Sequence, residues 1–174
     1  NYAYLLKQVK ARVLLAQKKA IYTANEEMLS MYWDIGKLLS ESQKQIGWGN
    51  NALEKLANDL KNDYPEMKGF SVRNCQFMIQ FYNEYNQQLT NTKRAVSYLN
   101  NNEIVLPISK LGWSHNITLM QRTKDIKARY WYMIQCLKNG WSRDFLIEAI
   151  KQDYYHSHGA LASNFDTTLP EIQA

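Results

Sequence analysis

The chain holds 174 residues, 45% of them hydrophobic and 13% aromatic, enough apolar side chain to fill a core, which excludes an intrinsically disordered chain. Seven glycines and three prolines leave long stretches of helix-favouring residues unbroken, so an all-α fold is expected in place of a many-stranded sandwich. The formal charge of +5 admits a polyanionic partner without requiring one, and no apolar run of about 18 residues points to a membrane helix or to a membrane partner.

From Tyr4 to about Ser42 only Gly36 interrupts helix-forming residues. Leu6, Val9, Val13, Ala16, Ala20, Ala24, Met28, Met31, Ile35 and Leu38 recur at steps of three and four around a 4-4 step at 20-24-28, the pattern of a coiled-coil seam with a stutter. One long helix is expected within residues 1–46, softened near Thr23. About 40 residues at 1.5 Å each span about 60 Å, more than so small a domain covers. The helix is therefore expected to pack against a second chain or a fold-back helix, which makes it the dimerisation candidate of a homodimer or higher homo-oligomer.

Residues 47–86 read as a helix-turn-helix-like unit. A Gly-Trp-Gly turn leads to Asn50 or Asn51 as N-cap, and Leu53, Leu56 and Leu60 share one face until Pro65 ends the helix. Then comes "KGFSVRNCQFMIQFY", residues 68–82, with Ser71 as the natural N-cap. At 100° per residue, Val72, Cys75, Met78, Ile79, Tyr82 and Tyr85 gather on one side, and Arg73, Gln76, Gln80, Asn83 and Glu84 with Phe77 on the other. In a helix-turn-helix the second helix enters the major groove, where Arg pairs with guanine and Asn or Gln with adenine. On that reading Arg73, Gln76 and Gln80 contact bases, Ser71 and Asn74 lie at the first turn, and Lys61 and Lys68 meet phosphates. The other reading is a capped core helix with a polar face.

Residues 87–106 are polar and Asn-rich, and are expected to form a linker with at most a short helix from Ala95 to Leu99. A second helical unit is expected over 107–155. It comprises a short helix capped by Ser114, a helix from Ile126 to Lys138 burying Ala128, Trp131, Tyr132, Ile134 and Leu137 and ended by Asn139-Gly140, and a Ser142-capped helix burying Phe145, Leu146, Ala149 and Ile150. Tyr130, Trp131 and Tyr132 stand in a row, so a single helix face cannot cover all three and some are expected to lie half-buried at an interface. Residues 156–174 read as a loose tail.

Between residues 86 and 130 the chain carries Lys93, Arg94, Lys110, Arg122, Lys124, Lys127 and Arg129 against Glu103 and Asp125. Such a basic band is the minimum electrostatic footprint of a nucleic-acid contact. Catalytic chemistry is not expected. Glu66-Met67-Lys68 lies in an inter-helix turn, where carboxylates do not converge on a metal ion as a nuclease requires. His156 and His158 beside Asp153 lack further ligands, so no metal site is expected. No phosphate-cradling glycine loop or nucleophile elbow is present, and no cofactor is implied. Cys75 and Cys136 sit in apolar helical patterns and suit reduced core thiols of a cytosolic protein.

The segments "YWDIGKLLSE" (32–41), "GWGNNALEKLANDLKNDYP" (47–65), "GFSVRNCQFMIQFY" (69–82), "LGWSHNITLM" (111–120) and "YWYMIQCLKNGWSRDFLIEAI" (130–150) resemble the N-terminal domain of the YhcG-type bacterial proteins, over about residues 5–155. Ser71, Arg73 and Asn74 match the family's "GFS-x-RN" motif, and Trp113, Ser114 and His115 its "WSH" motif. Trp141, Ser142 and Arg143 match "WS-x-R-x-L" only in part, the arginine here following the serine directly. The resemblance implies a domain of unknown function that precedes a PD-(D/E)XK nuclease-like domain lying outside this chain. The resemblance also implies targeting or assembly for that nuclease; with the helix-turn-helix reading, the basic band and the long helix, the expected role is binding of duplex DNA and dimerisation in the cytoplasm. The alternative is a protein-interaction and homo-oligomerisation module without nucleic-acid contact, and a third reading is RNA binding through exposed aromatics. Asn74 and His115 fit either a DNA contact or the organisation of a junction between helical units.

Overall fold

The computed structural model describes residues 2–47, 49–96 and 107–159. Six α-helices follow in order: α1 (Tyr2–Ile46), α2 (Asn50–Asp63), α3 (Val72–Val96), α4 (Trp113–Arg122), α5 (Ile126–Asn139) and α6 (Arg143–Lys151). A 3-10 turn at Ile108–Lys110 precedes α4 and a π turn at Tyr155–Gly159 follows α6. No strand occurs among the described residues, so the fold is all-α. None of their helices is long and apolar enough to cross a membrane.

The long first helix is present and unbroken. The helix runs through Thr23 without a break, and the Thr23 hydroxyl donates to the Lys19 carbonyl one turn back, at 3.0 Å, a bond that competes mildly with the helical ladder. Only the second half of α1 is packed. Leu29, Tyr32, Gly36, Leu39 and Ser40 are buried, a line displaced by about one residue from the seam Met28, Met31, Ile35 and Leu38. Tyr2–Ala24 is exposed throughout.

Helix α3 occupies the centre, and one glycine sets how closely α1 lies on it. A Cβ at Gly36 would stand 2.1 Å from the Met78 carbonyl oxygen, so the two backbones touch where only a hydrogen fits. On either side of that contact Trp33 meets Phe81 and Tyr82 edge to face at 5.3 and 5.2 Å, and the Ser40 hydroxyl donates to Asn83 Oδ1 at 2.7 Å. Helix α3 also continues to Val96. Residues 87–96 are therefore helical where a linker was expected, since Asn, Gln, Thr and Lys without Gly or Pro permit helix; residues 97–106 lie outside the described residues.

Three apolar clusters meet along α3. Cys75 packs with Leu39 and Leu53. Met78 packs with Tyr32 and Phe70. Phe81 and Tyr85 join the largest cluster, with Leu119 and Met120 from α4, Trp131, Tyr132, Met133 and Cys136 from α5, and Leu146 and Ala149 from α6. Helix α5 is covered on nearly all sides. Tyr130, Trp131 and Tyr132 are all buried, contrary to the expectation from one-sided packing, and the Tyr132 hydroxyl accepts from the backbone N–H of Tyr155 at 3.1 Å. Leu137 and Phe145 are exposed where burial was expected; Phe145 lies against Trp141, 4.9 Å between ring centroids.

Burial of thiols and phenols gives the fold an alkaline limit. It pushes the Cys136 thiol from its ordinary value of 9.0 up to about 12, and it also raises Cys75, Tyr85 and Tyr132. A raised acid holds the neutral form in the folded state, so its stabilising contribution is complete below the unfolded value and lost as pH climbs through the folded one. The melting temperature is thus expected to fall between about pH 9 and 12, and Cys136→Ala to flatten part of that slope in thermal melts recorded against pH.

Candidate nucleic-acid interface

The unit formed by α2, the turn 64–71 and α3 builds the candidate interface. Helix α2 starts after Gly49 and ends at Tyr64, whose N–H reaches the Leu60 carbonyl. The turn is fixed at Gly69, with φ of +112° and a position where a Cβ would fall 2.5 Å from the Tyr32 hydroxyl; no other residue combines that backbone with that clearance. Ser71 then caps α3 as expected, its hydroxyl accepting from the Asn74 N–H at 3.1 Å.

Asn74 belongs to the turn itself. Its Nδ2 donates to the Gly69 carbonyl at 2.6 Å, and its Oδ1 accepts from the Trp113 indole at 2.8 Å. Burial raises the Tyr32 hydroxyl, and a hydrogen bond with Asn74 offsets part of that rise. These bonds tie the side chain to α1, the turn and α4, the arrangement expected of a residue that organises a junction. His115 follows the same logic: its Nε2 lies 2.8 Å from the Trp141 carbonyl, which ties α4 to the turn before α6. Ser114 does not cap α4, which begins at Trp113 after Gly112; its carbonyl accepts from Thr118 instead. The expected cap at Ser142 is present, accepting from the Phe145 N–H at 3.1 Å.

The polar face of α3 is largely occupied inside the molecule. Gln80 donates to Glu84 at 2.7 Å, and Glu84 pairs with Arg129. Arg129 is buried, 4% exposed, and its guanidinium also donates to the carbonyls of Thr123 and Met120 and lies 5.6 Å from the centre of the Tyr85 ring. It therefore leaves the basic band as a core cation, while the half-buried Gln80 has its amide engaged by a neighbour one turn away.

Arg73 and Gln76 remain exposed, as do Lys61 and Lys68. The Arg73 guanidinium rests 5.6 Å from the centre of the half-buried Phe77 ring, which limits its rotamers while leaving its charge in solvent. Lys110, Arg122, Lys124 and Lys127 are exposed. The last three flank the turn between α4 and α5, whose Thr123 carbonyl holds Arg129 opposite Glu84. Eleven residues of helix separate Arg73 from Glu84, about 16 Å along α3. Lys93 and Arg94 lie on the last turns of α3, and their side chains are outside the described residues.

Among the described residues no three His, Cys, Asp or Glu side chains converge as a metal site. His156 Nδ1 instead lies 2.7 Å from Asp153 Oδ1, and His158 Nδ1 lies 2.8 Å from the Ser157 hydroxyl.

Neither the curated proteins nor the solved structures contain a match to the chain. One family model matches residues 8–157, from the first third of α1 to the π turn. The motif "GFSVRN" at the start of α3, the "WSH" at the start of α4 and the Trp141 turn all fall inside that match, and the chain belongs to the family of the DUF1016 N-terminal domain.

Proposed function

We propose that this domain binds duplex DNA as a homodimer in the cytoplasm and delivers a nuclease domain carried elsewhere in the intact protein. The observation that carries the reading is the state of α3: one face is packed, most of the polar face has internal partners, and Arg73 and Gln76 are left exposed near its N-terminal end. Polar groups at that end of a second helix reach base edges, while Lys61 on α2 and Lys68 within the turn suit phosphates. Arg122 at the end of α4, Lys124 in the turn after it and Lys127 on α5 add a second cationic cluster.

Fluorescence anisotropy with labelled duplex, single-stranded DNA and RNA over a range of salt tests this. Duplex affinity is expected to fall steeply with salt, and Arg73→Ala or Gln76→Ala to weaken it by about 1–3 kcal/mol without moving the melting temperature. Lys68→Ala reduces the salt slope by about one. Absence of binding at low salt overturns the reading.

A second reading, an assembly module without nucleic-acid contact, is favoured by the commitment of Asn74, His115 and Arg129 to internal junctions. It predicts concentration-dependent association with no duplex affinity in the same titration.

A further inference from the structure

The first half of α1 is a helix without a core. Between Tyr2 and Tyr22 it exposes large apolar side chains, among them Leu6, Val9 and Val13 at 37%, 51% and 51%. The last anchor is Asn25, whose amide donates to the carbonyls of Ser109 and Leu111 at 3.1 and 2.9 Å. An isolated helix with such a stripe is poorly stable in water and gains its order from packing.

The second half of α1 carries a complementary feature. Met31, Ile35 and Leu38 form one wall of an apolar groove of about 560 Å³, with Leu56 and Leu60 of α2 and Met67 of the turn among the facing residues. Leu38 is 64% exposed at its rim. At 3.6 residues per turn, Leu6, Val9, Val13, Ala20 and Ala24 occupy the same sector of about 80° as Met31, Ile35, Leu38 and Ser42. Bare stripe and groove wall are thus one continuous line along one helix.

Charge and length indicate what covers both. Residues 2–24 hold Lys7, Lys10, Arg12, Lys18 and Lys19 and no acid, whereas residues 25–66 hold eight acids against four cations. A parallel pair would set the cationic halves against each other; an antiparallel pair sets each against an acidic one. The halves of α1 on either side of the Ala24–Asn25 step have 23 and 22 of its 45 residues, about 34 and 33 Å, so both grooves fill at once. Ala20 and Ala24 lie near the crossing, where small side chains let two helices approach.

We infer that two copies of this chain associate through antiparallel α1 helices about a two-fold near Thr23, the bare first half of each seated in the α1–α2 groove of the other. The contact is isologous and closes at two copies. Val9 then lies over Leu38 of the partner subunit, Arg12 beside Asp34 of the partner subunit, and Lys19 beside Glu26 of the partner subunit. This rests on the reading that the domain self-associates, and adds its direction and the surfaces used.

Analytical ultracentrifugation of the whole chain tests association by itself, and cysteine pairing tests the geometry. Val9→Cys and Leu38→Cys both replace exposed residues, and the native Cys75 and Cys136 are buried, so the fold and the background are preserved. Along one helix positions 9 and 38 are about 40 Å apart, which rules out an intrachain bond. The expected result is a dimer in which the double variant forms a disulfide-linked pair under mild oxidation and neither single variant does. A monomer at all concentrations overturns both association and geometry. A dimer that a single variant crosslinks, or that the double variant fails to crosslink, overturns the geometry alone.

Discussion

Gly36→Ala lowers the melting temperature by about 6–12 °C, the equivalent of about 3 kcal/mol in a chain of this size. The sign is the informative part. In an ordinary helix interior this change stabilises by about 1 kcal/mol, since alanine favours helix and glycine does not. Here the added methyl would sit 2.1 Å from the Met78 carbonyl oxygen and 3.2 Å from the Tyr82 Cβ. Backbone cannot rotate away as a side chain does, so α1 and α3 must separate, and the Trp33 contacts with Phe81 and Tyr82 and the Ser40–Asn83 hydrogen bond loosen with them. Differential scanning calorimetry decides the matter: a variant that melts at or above the parent temperature means the helices are not in backbone contact.

The second large effect is at Arg129. Arg129→Met is expected to destabilise by about 3 kcal/mol, because it leaves Glu84 without its cation and the carbonyls of Thr123 and Met120 without their donor. Glu84 is one-third exposed, so water recovers part of that loss and the figure sits at the lower end for a broken buried pair. Adding Glu84→Gln should restore some stability. Arg73→Ala, by contrast, leaves the melt unchanged. If Arg129→Met melted like the parent yet lost duplex affinity, Arg129 would return to the nucleic-acid surface.

The two arginines show where the sequence is readable and where it is not. Caps and periodicity are local, so Ser71, Ser142, the end of α5 at Gly140 and the length of α1 follow from residues a few positions apart. The internal partners of α3 are not local. Glu84 finds Arg129 45 positions on, Asn83 finds Ser40 43 positions back, and Asn74 finds Trp113 39 positions on. On a helical wheel those side chains look as solvent-facing as Arg73 and Gln76. Gly36 reads only as a weak spot in α1 until α3 is laid against it. The motif residues Asn74 and His115 are open to two roles for the same reason, since their partners Trp113 and Trp141 lie 39 and 26 positions along the chain. Burial of Tyr130, Trp131 and Tyr132 together required elements on several sides of α5, which no single-helix pattern encodes.

Phe81 touches Trp33 at 5.3 Å and Trp113 at 5.2 Å between ring centroids, so a single ring joins the first helix to the fourth. On a ribosome these partners do not appear together. Helix α1 leaves the exit tunnel first, and at 5–20 residues per second the stretch from Ile46 to Trp113 takes on the order of 10 s to follow. For the first part of that interval the packing face of α1 has no α3 to cover it, and until Trp113 follows the contact at Phe81 stays incomplete, so the earliest encounters of that face are with chaperones or with neighbouring chains on the same message.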